Sequence, residues 1–477
     1  MQWLRDETGY DEIHEREGAP RAHYARLLEL LAEIDEADLG RRERLQKLSL
    51  LNQGITFAVY GDQEGTERVF PFDFVPRIIP AHEWHHIERG LVQRVTALNL
   101  FLKDLYTERA CLKEGILPWE LVLSRAEYKR ELQGILPPRD IFTHIVGTDL
   151  IRDDAGQYLV LEDNCRCPSG VSYVIENRNL LQRSFPELFS AYPVRPVENY
   201  PSELLDVLHF VAQRSDVSHP VILTPGVFNS AYFEHSFLAR EMGVPLVEGS
   251  DLVVDGSHVF MRTTSGLQRV DCIYRRVDDG FLDPLVFNRE STLGVPGLIN
   301  AYRAGNVAIC NAPGAGVADD KAIYAYLPEL IRFYLGEDPI LAQVPTYIGA
   351  RSEDFAYMVD HLEQLVVKTT GDAGGYGMLM GPFATKQEIL EYRKQMLEDP
   401  GGYIAQSLVE LSSHGTWIDR EFAPRRVDLR PFVLCGEKIE VLPGGLTRVA
   451  LKEGSYVVNS SQGGGSKDTW VLADGAN

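Results

Sequence analysis

The amino-acid pattern predicts an α/β protein with α+β elements, opening on a mainly helical region over 1–140. Three observations carry that expectation. Apolar residues recur at helical spacing through 20–51 and again after Pro80. Between 201 and 336, strand-like and helix-like stretches alternate, as in a small doubly wound α/β domain. The stretch 365–381, LVVKTTGDAGGYGMLMG, reads as a buried strand that delivers Lys368 into a glycine-rich turn, followed by a second apolar run.

Bulk composition narrows the class. The 477 residues suffice for roughly two to four domains with sizeable cores. A net charge of −22 argues against nucleic acid or an anionic membrane as partner. No apolar run reaches the roughly 18–20 residues of a membrane helix, and the acidic start resembles no signal peptide. Six cysteines in this length make no disulfide framework, so a reduced, cytoplasmic protein is expected.

In chain order, Leu27, Leu28, Leu31, Ile34, Leu45 and Leu48 give helical spacing, with Gly40 as the expected break between two helices. A polar strand-like stretch covers 55–68. In 70–80 three prolines exclude a helix interior or a central strand. A long helix then runs to about Tyr106, with Leu91, Val95, Leu98, Phe101, Leu102 and Leu105 on one face. Its first turn contains His82, Glu83 and His86, an H-E-x-x-H pattern, but no third ligand or Met-turn accompanies it. Exposed histidines at a helix start are the simpler reading. Strands at 141–152 and 157–164 flank a turn at 153–156.

The alternating region 201–336 holds helices at 202–214 and 230–242, the second closed by Gly243, and a hairpin turning at Asp255-Gly256. Strands follow at 271–277 and 306–310, then a helix from Lys321 capped by Asp319 or Asp320. In 337–420 the lysine–glycine stretch lies between a helix from Ser352 and one capped by Thr385, followed by a strand at 403–411. A meander of strands and a second glycine-rich stretch with Lys467 occupy 421–477.

Three clusters carry chemistry. Glycines reach positive φ without steric cost, so successive N–H groups around Gly371, Gly374, Gly375 and Gly377 can face one anion, with Lys368 adding a point charge. A hairpin with a glycine-rich tip is the alternative. The lysine precedes the glycines, so this is no P-loop, and the loop enters a strand, so it is no dinucleotide fingerprint. Across 153–156, a two- or four-residue loop pairs Asp149 with Val160 and sets Asp149, Glu162 and Asn164 on one face. Two carboxylates and an amide oxygen there suit Mg²⁺. A three-residue loop would reverse the parity, and a solvated acidic hairpin is the alternative. Arg275 and Arg276 read either as a fork for a substrate carboxylate or as a charged strand edge.

With these residues go PFDFVPRII (71–79), GLVQRVTALNLFL (90–102), LEDNCRCPSGVSY (161–173), NAPGAGVADDKAIYAYLPEL (311–330), VVKTTGDAGGYGM (366–378) and NSSQGGGSKDTWVL (459–472). Together they resemble the circularly permuted ATP-grasp proteins, a family distantly related to glutathionylspermidine synthase. The resemblance implies a permuted ATP-grasp core at 141–200 and 421–477, with 201–336 as an inserted substrate domain and 337–420 as a lid. It implies Mg²⁺ at Asp149, Glu162 and Asn164, with Pro168 matching the synthase's proline. It implies ATP at Lys321, Lys368, Gly374, Gly375 and Lys467, with adenine along the strand of Gln406 and Leu408. Arg166 and Lys368 become the catalytic candidates. Arg166 and Cys167 stand where the synthase has an acidic residue and a threonine, so its own substrates do not carry over.

The activity so implied is an ATP-dependent carboxylate–amine ligase acting through an acylphosphate on a small-molecule or peptide acid and an amine. A phosphotransferase and a non-catalytic nucleotide- or peptide-binding protein are the alternatives.

Overall fold

A computed structural model of the protein describes residues 3–6, 9–58, 67–212, 218–371, 377–458 and 464–475. Among the described residues, its centre is a ten-stranded mixed sheet. Along its main path the order is Ala342–Gln343, Tyr158–Asn164, Ile145–Arg152, Glu421–Arg430, Leu446–Val449, Gly465–Val471 and Phe72–Ile79. Strands far apart in sequence therefore lie side by side.

The helix Ala81–Tyr106 buries the stripe its spacing predicts, from Trp84 through Leu91, Val95, Leu98, Phe101, Leu102 and Leu105. The proline-rich segment forms Phe72–Ile79, an edge strand running parallel to Gly465–Val471. Proline lacks an N–H, so it is tolerated at an edge, and the register shifts between Lys467 and Thr469, alongside Pro76. Helices Ala22–Glu33 and Glu36–Asn52 match the first helical stretch, but the break falls at Asp35 and not at Gly40. The Asp35 carboxylate accepts from the Asp38 N–H at 2.7 Å. An Asp cap is worth about 1 kcal/mol, comparable to the cost of leaving Gly40 inside the helix, so the cap decides the boundary.

A second sheet is fully parallel, in the order Ala308–Cys310, Cys272–Arg275, Pro220–Leu223, Leu246–Val247. Helices Tyr200–Val211 and Tyr232–Met242 accompany it, and Gly243 closes the latter at φ 68°. Asn311, one residue past its outer strand, ties this sheet to the centre. Its side-chain oxygen accepts from the N–H groups of His144 (2.6 Å) and Ile145 (2.8 Å), and its amide donates to the carbonyls of Ile145 and Cys165.

The third sheet is antiparallel, in the order Thr346–Ile348, Tyr403–Ser407, Leu365–Thr369, Leu379–Met380. Helices Ser352–Asp360 and Lys386–Glu398 back it, and Met358, Leu365, Val367, Leu379, Ile389, Met396 and Ala405 fill the layer between. Side chains alternate across a strand, so burying Leu365 and Val367 turns Val366 and Lys368 to the opposite face.

Candidate active site

That opposite face of the third sheet forms one wall of a cleft. Thr346, Gln406, Val366 and Met380 fall in one row across its four strands. Val366, Met380 and Gln406 line the cleft with Lys368, Ser407, Leu408 and Val409. Asp149, Glu162, Asp428 and Arg448 of the central sheet face them, and Lys321 and Tyr456 close the sides. The Lys368 ammonium donates to the Gln406 side-chain oxygen at 2.8 Å, and Gln406 donates in turn to Thr346 at 2.9 Å. Burial lowers the Lys368 pKa to about 8, with Lys321 pushing the same way and Glu162 opposing. Lys321 opens the short helix Lys321–Ala325, capped by the Asp320 carboxylate. Arg125 fastens this helix start to the third sheet through Asp320 and the Thr370 hydroxyl.

The hairpin carrying the acidic residues reaches the expected face by a different register. Arg152 pairs with Tyr158, not Gln157, so the loop holds five residues and the parity is reversed. A one-residue bulge at Leu161 reverses it again. Asp149 then lies directly opposite Glu162, and Asn164 opposite Gly147, so all three share a face.

Their surroundings correct the simplest metal-site picture. Both Asp149 oxygens accept from arginines: Arg430 Nε at 2.5 Å, Arg430 Nη2 at 2.8 Å and Arg448 Nη2 at 2.6 Å. Burial pushes the Asp149 carboxyl up, but the two guanidiniums outweigh it and hold it well below the usual range. Arg448 is shared with Asp428. The Glu162 carboxylate, 30% exposed, lies 3.9 Å from Arg430. The Asn164 amide N–H donates to the Gly147 carbonyl at 3.1 Å, which leaves its side-chain oxygen to ligate a cation. Hard oxygen donors at Glu162 and Asn164 fit Mg²⁺, which needs few protein ligands when phosphate supplies the rest. Asp149 would join them only by exchanging an arginine for the ion.

Other candidates are placed elsewhere. Lys467 is fully buried on the strand Gly465–Val471, ion-paired with Asp73, and donates to the Gly415 carbonyl at 3.1 Å. It pairs with Thr447 while Arg448 pairs with Ser466, so it faces the side of the sheet opposite Arg448 and away from the cleft. Arg275 and Arg276 are buried, neither a fork open to substrate nor an exposed edge. Arg275 binds Asp279 (3.0 Å) and the Asn311 carbonyl, and Arg276 binds Glu234 (3.1 Å) and the Pro168 carbonyl. Arg166 does not line the cleft; it lies between Asp278 (2.9 Å) and Asp319 (3.6 Å). Burial, against the pull of Arg166, raises the Asp319 carboxyl to about 7. Gly374 and Gly375 lie outside the described residues.

In the H-E-x-x-H turn, Trp84 is buried, Glu83 pairs with Arg152 at 3.0 Å, and His82 and His86 are exposed. Double replacement of His82 and His86 by alanine is therefore expected to leave metal content unchanged. Stoichiometric zinc on elemental analysis, lost in that variant, would reverse this assignment.

The family model for circularly permuted ATP-grasp type 2 proteins matches residues 76–450. An uncharacterised protein of Synechocystis is 53% identical over 97% of each chain. One of Mycobacterium tuberculosis is 49% identical over 98% of this chain and 85% of its own length. A provisionally named glutamate–cysteine ligase of Frankia alni is 43% identical over 97% of this chain, which spans only 54% of that protein. A glutathione synthetase-like effector of Globodera pallida shares the fold at a TM-score of 0.58 and 14% identity, over 92% of this chain and 98% of its own. The cleft between the two sheets thus sits in a chain that belongs to the circularly permuted ATP-grasp type 2 family.

Proposed function

We propose that the protein is an ATP-dependent carboxylate–amine ligase. The observation that carries the reading is the cleft itself, where a lysine-bearing sheet faces a carboxylate–arginine sheet. The row Gln406, Val366 and Met380, with Leu408, offers an apolar slot and hydrogen-bonding edge for a purine. Lys368 and Lys321 would neutralise the triphosphate. Mg²⁺, held at Glu162 and Asn164 with Asp149 beside them, would offset charge on the transferred phosphoryl group. The substrate carboxylate oxygen attacks the γ-phosphorus and ADP leaves. An amine then attacks the acyl carbon, phosphate leaves, and the amine gives up a proton. Closure of the third sheet, part of the 337–420 lid region, over the cleft would keep water from the acylphosphate. The Frankia relative's name bears on this only in part, since the chain matches about half of that protein.

ADP release measured against amino acids, short peptides and polyamines tests the reading. Amide product formed only with an amine present supports a ligase. A stable phosphorylated acid instead identifies a phosphotransferase, and nucleotide binding without turnover identifies a binding protein. Peptides spanning 368–380 are expected to gain hydrogen-exchange protection with ATP·Mg²⁺, and no change there counts against closure of this segment.

A further inference from the structure

Arg430 matches none of the roles that the sequence suggests, yet it sits at the heart of the acidic face. It ends the strand Glu421–Arg430. Leu429 pairs with Leu150, which sets Arg430 opposite Asp149. Its Nε and Nη2 take both oxygens of Asp149, Nη2 lies 3.9 Å from Glu162, and Nη1 donates to the Ser169 carbonyl at 3.2 Å. A Cβ on Gly147 would meet the Arg430 side chain at 3.3 Å, so the absence of a side chain there makes the shelf on which the arginine lies.

This guanidinium is a cation placed between two carboxylates, where a metal ion would also bind. Arg430 takes both Asp149 oxygens and Arg448 shares one of them, so a metal ion reaches Asp149 only by displacing a guanidinium, and its charge would add to the two cations already there. Asp149 differs from an ordinary buried carboxylate in having a second arginine. If Arg430 turns away, Arg448 still holds Asp149 at 2.6 Å, so no buried charge is orphaned. Arg430 is 13% exposed on the side chain, and its planar fork suits phosphate as well as carboxylate.

Resting on the ligase reading above, we propose that Arg430 is a built-in counter-cation that makes divalent-metal binding conditional on nucleotide. Metal and Arg430 compete for Asp149 and Glu162, and the triphosphate gives the displaced guanidinium a new partner. Arg430 is thus a positioning residue that couples two ligands, and the coupling is reciprocal.

Manganese binding, followed by electron paramagnetic resonance of the free ion with and without a non-hydrolysable ATP analogue and referred to the same analogue without protein, tests this. The wild type is expected to bind Mn²⁺ weakly alone and tightly with the analogue. Arg430→Gln is expected to bind Mn²⁺ alone about tenfold more tightly and to lose most of the nucleotide dependence. An unchanged or weaker Mn²⁺ affinity in that variant, with wild-type coupling intact, overturns the role of Arg430. Failure of the wild type to take up Mn²⁺ even with the analogue removes the ligase-site reading, and this inference with it. Should Arg430→Gln not fold, Arg430→Lys keeps a charge but cannot bridge both Asp149 oxygens, and it carries the same comparison with a smaller expected gain.

Discussion

Glu162→Gln is expected to lower ATP-dependent turnover by about 10²–10³-fold with the fold unchanged. Glutamine keeps the shape and one oxygen acceptor but loses the charge that a cation at this face requires. Glu162 is the cleft carboxylate that neither arginine holds at hydrogen-bond distance: Arg430 stays 3.9 Å away, whereas it holds Asp149 at 2.5–2.8 Å and Arg448 holds Asp428. Removing its charge therefore leaves the Asp149–Arg448–Asp428 network in place. Nucleotide affinity should fall less than turnover, since the lysines and the Gln406 strand remain. Steady-state ADP release, nucleotide titration and thermal melting check the three parts. Turnover within about threefold of wild type in a folded variant would take Glu162 out of the site.

Lys368→Met is expected to have the next largest effect, about 10²-fold in nucleotide affinity, and to change its pH dependence. Burial, with Lys321 adding, lowers the Lys368 pKa to about 8. Below that pH the ammonium is charged before ATP arrives. A triphosphate selects the charged form and raises its pKa. Affinity should be highest below about pH 8 and fall above it, by at most about tenfold per pH unit. The same depression costs folded-state stability below about pH 8. That cost is relieved as the pH rises towards the unfolded lysine's value of about 10.4, because there the unfolded chain binds more protons. Calorimetric titration between pH 7 and 9.5 checks the binding profile. A flat wild-type profile, or a Lys368→Met profile that still bends near 8, would remove Lys368 from the phosphates.

What the sequence made legible was local. Period-3.6 spacing located the helix Ala81–Tyr106, and an apolar run ending in a lysine located the third sheet's strand that carries Lys368. Thr385 was readable as a cap, and Asp320 as one of two adjacent candidates, because a cap is decided within one turn of chain. The face shared by Asp149, Glu162 and Asn164 was found by assuming the wrong register, because an odd loop and a bulge cancel and no local signal marks either. The long-range partners were not legible. Arg430 and Arg448 reach Asp149 from strands 281 and 299 residues away. Their signal was the alternation in RRVDLR, which places Asp428 and Arg430 on one face, but nothing in the chain says which carboxylate that face meets. Lys467 misled because a lysine in a glycine-rich stretch resembles a phosphate contact, whereas its strand is enclosed and Asp73 neutralises it.

The edge strand Phe72–Ile79 has a consequence for synthesis. Asp73 and its ion-pair partner Lys467 are 394 residues apart. At translation rates of about 5–20 residues per second, the early strand waits roughly 20–80 s for its neighbour to leave the ribosome. During that interval Phe72, Phe74, Val75, Ile78 and Ile79 form an unmatched apolar ribbon open to other nascent chains. Pro71, Pro76 and Pro80 deny such a chain a continuous row of backbone donors. Asp73 adds a charge that an arbitrary partner strand would have to strip of water without a lysine to offset it. The prolines thus guard the growing polypeptide against mispairing, and the buried lysine is the late-arriving key that the waiting strand accepts.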